Sequence, residues 1–71
     1  MRKVIWYGKV DKCDLCHRDI TTIFIDGRTE IGSWALMCPE CHEVVGCGIG
    51  LGNGQLYALQ DGRWINQAKV N

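Results

Sequence analysis

Hydrophobic and polar positions alternate in short runs along this chain, and no helical period extends beyond two turns. Residues 3–10 (Lys-Val-Ile-Trp-Tyr-Gly-Lys-Val) are rich in β-branched and aromatic side chains and predict a leading strand. Residues 20–25 (Ile-Thr-Thr-Ile-Phe-Ile) predict a second strand. Asp26-Gly27 follows, a dipeptide suited to a hairpin turn because both positions tolerate positive φ. The return strand is then expected over residues 28–31. A second hairpin is expected from residues 55–60 through Asp61-Gly62 to residues 63–66. Between the hairpins, residues 39–45 predict a short helix, with Pro39 at its first position and Gly46 at its end.

Gly46, Gly48, Gly50, Gly52 and Gly54 alternate strictly. Two is the period of a strand, so an extended segment would present one face without side chains. Cys47, Ile49 and Leu51 would occupy the other face and enter the core. A bare face admits close approach by another surface. Gly48, Gly50 and Gly52 are therefore candidate contacts for a partner or for a second copy of the chain, a homodimer. The run matches neither a dinucleotide fingerprint nor a P-loop, because no strand-to-helix turn and no Gly-Lys-Ser/Thr accompanies it. Trp6, Trp34, Trp64, Tyr7, Phe24 and Tyr57 are expected to supply much of the core, with Trp64 and Tyr57 as diagonal neighbours on the second hairpin.

Length changes the energetic picture. A chain of 71 residues forms one domain, residues 1–71, and its hydrophobic burial about matches the entropy lost on folding. A domain of this size needs a staple. No apolar run is long enough for a membrane span, and residues 4–7 are too short an apolar core for a secretory signal, so the cytoplasm is the expected compartment. There, five cysteines are not expected to form disulfides.

Four of them form two C-x2-C pairs, Cys13-Asp14-Leu15-Cys16 and Cys38-Pro39-Glu40-Cys41, with 21 residues between. Two intervening residues let a tight turn aim both thiolates at one ion, and two such turns complete a tetrahedral shell. The spacer is long enough for one hairpin to return the second pair beside the first. Cys13, Cys16, Cys38 and Cys41 are thus expected to bind one structural Zn2+, making a small zinc-stapled β-rich (α+β) domain. Its expected form is a zinc ribbon or a treble-clef-like fold with two β-hairpins and one short helix. His17 and His42 follow the two pairs and reproduce the C-x-x-C-H haem signature. Two haems would need more axial ligands than two histidines provide, so each histidine is read as a turn cap or outer-shell hydrogen-bond partner. Cys47 is read as a small buried hydrophobe.

Formal net charge is zero, but its distribution is uneven. Residues 1–12 carry a local net of +3 through Arg2, Lys3, Lys9 and Lys12 against Asp11, whereas residues 13–43 carry −4. Phosphate affinity depends on clustered cations. Nucleic-acid binding would therefore run weakly through Arg2, Lys3 and Lys9, and an exposed aromatic ring could stack on a base.

The chain resembles small, mostly uncharacterised zinc-ribbon proteins of tailed bacteriophages. The resemblance lies in Ile20-Thr21-Thr22, residues 24–27, residues 32–42, the glycine-rich run, residues 54–57 and residues 61–64. It covers roughly residues 13–65. It implies a phage origin and zinc binding, and, by analogy with host-directed accessory proteins of this size, a bacterial or phage protein as partner. Residues 36–42 also resemble the second cysteine pair of treble-clef domains, including those of HNH nucleases. The catalytic histidine of those nucleases has no counterpart here, and no enzymatic activity is expected. A rubredoxin-type iron electron carrier remains the other function class, because it too uses two C-x2-C pairs.

Overall fold

The computed structural model describes residues 4–50 and 52–67. Five strands and one helix follow in the order β1 (Ile5–Trp6), β2 (Ile23–Arg28), β3 (Trp34–Met37), α1 (Pro39–Val45), β4 (Gly54–Gln60) and β5 (Arg63–Asn66). All strands join one antiparallel sheet in the order β1-β5-β4-β2-β3. The two hairpins expected separately are fused through the pairing of β2 with β4.

The second hairpin forms as its sequence predicts. Asp61 (φ 51) and Gly62 (φ 77) both take the left-handed conformation at its turn. The first hairpin differs. Asp26 and Gly27 lie inside β2, and the chain reverses at residues 29–33 instead. Thr29 donates both its N–H and its hydroxyl to the Ser33 carbonyl, at 3.0 and 2.7 Å, and closes that reversal. The return strand is therefore Trp34–Met37, not residues 28–31.

Gly27 is held in the strand by what faces it. It pairs with Gly54 of β4, and a Cβ there would lie 2.9 Å from the Asn53 carbonyl oxygen and 3.0 Å from the Gly54 Cα. Its lack of a side chain serves close strand approach rather than a turn. The leading strand is also shorter than expected, reduced to Ile5–Trp6 on the edge of the sheet.

Alternation along the strands divides the interior in two. One face carries Phe24 and Tyr57, stacked at 5.0 Å, with Trp6 and Trp64 edge-on to Phe24 at 5.3 and 5.0 Å. Cys13, Ile20 and Cys38 close over this aromatic cluster. The other face carries Ile25, Ala35 and Met37, covered by Val45 of α1. Tyr57 and Trp64 thus share a face as expected and meet through Phe24. Tyr7 and Trp34, expected in the core, are 88% and 55% exposed.

The glycine run is not a strand. Gly48, Gly50 and Gly52 take φ of 92, 135 and 82 and lie in the connection between α1 and β4. Alternation here reflects a winding backbone that repeatedly enters left-handed space, which only glycine enters cheaply. Ile49 is 53% exposed and Cys47 half-buried, so neither behaves as a core-facing strand residue; Leu51 lies outside the described residues.

Candidate metal centre

Each cysteine pair is placed by a local turn that its sequence explains. In the first, Lys12 and Asp19 form an isolated bridge, and their side chains pair at 2.5 Å. Cys13 N–H donates to the Arg18 carbonyl and His17 N–H to the Cys13 carbonyl, each at 2.9 Å. His17 turns left-handed (φ 62) to end the knuckle. The second pair stands on α1. Cys38 is the N-cap residue, Pro39 occupies the first turn, and Cys41 lies in that turn. The Cys38 sulfur accepts the Cys41 N–H at 3.5 Å, acting as the capping group itself.

β3 connects these two turns. The Asp14 N–H donates to the Leu36 carbonyl at 2.8 Å, and the Leu36 N–H donates to the Asp14 carboxylate at 2.9 Å. The first knuckle is thereby fastened to the strand that leads directly into α1. Arg18 and Glu40 add an exposed ion pair between knuckle and helix. Exposed pairs of this kind contribute little stability but favour one orientation. Leu15 and Cys41 touch both core clusters, so the site lies at the sheet edge where the two interiors meet.

The outcome is one cluster. The sulfurs of Cys13, Cys16, Cys38 and Cys41 all lie within 4.8 Å of one another. A tetrahedral ion with bonds of about 2.3 Å requires sulfurs about 3.8 Å apart. Cys16 and Cys38 stand 3.8 Å apart. The donor set and its spacing therefore fit a four-coordinate metal ion. Leu15 N–H also donates to the Cys13 sulfur at 3.4 Å, a bond that favours the thiolate.

Electrostatics separate the thiols. Burial opposes ionisation of Cys13, yet backbone N–H groups from Cys16, Cys38 and Leu15 outweigh it and bring its pKa down to about 6. Cys41 moves the other way, to about 12, through burial and then through its three neighbouring sulfurs. Cys13 thus loses its proton readily while Cys41 resists losing its own until a cation is there to share the charge.

The remaining candidates are dispersed. Among the described residues His42 joins no metal cluster; its Nε2–H donates to the Gly48 carbonyl at 3.1 Å and ties helix to loop. That contact also explains Gly46, where a Cβ would lie 2.2 Å from the His42 ring. Cys47 lies outside the sulfur cluster. Of the basic residues expected to gather, Arg2 and Lys3 lie outside the described residues, Lys9 is exposed and Lys12 is engaged by Asp19. Asp14 and the Arg18–Glu40 pair were not anticipated, because a strand edge and a helix must first be placed beside the knuckle.

No family model, curated protein or solved structure matches the chain. Among the described residues, no helix is long and apolar enough to cross a membrane.

Proposed function

We propose that this chain is a small binding module organised by one structural zinc ion held by Cys13, Cys16, Cys38 and Cys41. The observation that carries this reading is the single cluster of four sulfurs within 4.8 Å. Four thiolates fill a tetrahedral shell and leave no position for substrate or water, which favours a structural role over a catalytic one. The second pair on a helix N-terminus, after a knuckle and a hairpin, favours the treble-clef alternative over the zinc ribbon.

The partner in this reading is a protein, by analogy with host-directed phage proteins of this size, and the compartment is the host cytoplasm. The outer edge of β3 supports it. Leu36 turns its N–H and carbonyl outward to Asp14, and antiparallel alternation places those of Trp34 on the same side. Trp34 and the nearby Ile31 are 55% and 71% exposed. Backbone groups beside large apolar side chains suit addition of a partner strand.

Elemental analysis tests the metal. Protein purified without added metal should contain close to one zinc per chain, and iron with a coloured preparation would replace this reading by the electron carrier. Cys13→Ser or Cys41→Ser should abolish stoichiometric metal and folding, whereas Cys47→Ser should retain both. Metal loss in Cys47→Ser would overturn the ligand assignment.

A further inference from the structure

At the end of the sheet opposite the turn at residues 29–33, β1 and the β4–β5 hairpin part company. Ile5 pairs with Ile65 and Trp6 with Trp64, and pairing stops there. Continued register would set Tyr7 against Arg63 and Gly8 against Gly62. Instead a cavity of about 450 Å³ opens, lined by Trp6, Tyr7, Gly8, Gly62, Arg63 and Trp64. That size falls within the usual range for small-molecule sites, about 300–1,000 Å³.

Three features of its wall are unused by the fold. Tyr7 is 88% exposed, the most exposed large hydrophobic side chain among the described residues, with its ring free to stack. Arg63 is exposed and lines the same opening. The Trp6 indole Nε1 is buried without a hydrogen-bond partner. It lies beneath Gly8, where a Cβ would come within 2.9 Å of it. Buried donors in folded proteins are nearly always satisfied, so an orphan beside a cavity points to an acceptor brought by something else. The Trp6 ring packs where a Gly8 Cβ would stand, whereas Gly62 has open space there and leaves the opposite wall free for a flat group.

The geometry points to a nucleotide-binding slot between the end of β1 and the β4–β5 turn. A nucleobase is planar, stacks on an aromatic ring and carries in-plane acceptors for an indole N–H; its phosphate answers Arg63. Tyr7 stacks on the base, Arg63 binds the phosphate, and Trp6 Nε1 donates to the base edge once the Gly8 backbone over it is displaced. A free nucleotide and one unit of a single strand share this chemistry. None of the four cysteines lines this opening, although Trp6 and Trp64 pack against the core cluster that holds Cys13 and Cys38.

The test uses the intact metal-loaded chain carrying Trp34→Phe, so that Trp6 and Trp64 alone report by fluorescence. The probes are adenosine monophosphate and a short mixed-sequence single-stranded oligonucleotide, at low salt. Quenching that saturates with either probe is expected. Similar affinities would identify the free nucleotide as the ligand, and much tighter oligonucleotide binding would identify the strand. Tyr7→Ala and Arg63→Gln should each weaken binding about tenfold or more, the effect of losing one stacked base or one charged phosphate contact. Zinc content and circular dichroism of both variants should equal those of the parent. Absence of saturable quenching up to millimolar probe would overturn the site. So would binding that survives Tyr7→Ala combined with Arg63→Gln.

Discussion

At the scale of single residues, the glycines carry different burdens although the sequence presents them as one series. Gly27 faces Gly54 across β2 and β4, with the Asn53 carbonyl oxygen 2.9 Å from where a Cβ would stand. Backbone on both sides cannot swing away. Gly27→Ala should therefore cost about 1–3 kcal/mol through overpacking. In a domain of this size that lowers the melting temperature by roughly 4–8 °C per kcal/mol, readable in a thermal scan. Gly48, Gly50 and Gly52 have open space where a Cβ would stand, so a substitution there is opposed by positive φ rather than by a neighbour. His17 and Asp61 show that non-glycine residues also occupy left-handed turns here, each beside hydrogen bonds or a glycine that fix the reversal.

At the scale of elements, the knuckle and α1 meet across β3 and jointly set the protonation of the cysteines. Burial holds Cys41 up to about 12, above its ordinary 9.0, so below pH 9 it keeps its proton until metal displaces it. Cys13 is held down to about 6 because backbone N–H donors outweigh its burial, so it is already ionised at neutral pH. Metal affinity should consequently rise with pH. From pH 6 to 9 the Cys41 proton contributes about tenfold per pH unit to that slope. Below pH 6 the Cys13 proton must also leave, and the slope steepens. Competition with a chelator at several pH values measures this, and a pH-independent affinity would show that these thiols do not bind the ion. The same two elements explain what could be read locally. Pro39–Val45 forms where Pro39 and Gly46 bracket it, because caps and helix breakers act within one turn. The β4–β5 hairpin forms at Asp61-Gly62 for the same reason.

At the scale of the whole molecule, metal site and core are one structure. Cys13 and Cys38 are members of the same buried cluster as Phe24 and Tyr57. Removing the metal should therefore loosen the aromatic packing as well as the knuckles. Chelation is expected to abolish the near-ultraviolet dichroism of the stacked rings, and zinc should restore it; rings that stay ordered without metal would separate core from site. The sequence by itself determined the elements whose causes are local: the short helix, the second hairpin and the two cysteine turns whose spacing aims sulfurs at one point. Tertiary structure alone decided that Asp26-Gly27 continues a strand, that Tyr7 and Trp34 face outward, and that Gly48, Gly50 and Gly52 lie in a loop. The reason is physical. A turn dipeptide, an aromatic ring or a glycine has several nearly equal conformations in isolation, and only the residue packed against it selects one. For Gly27 that residue is Gly54, on a strand distant in sequence, and the choice is not written in the neighbouring residues.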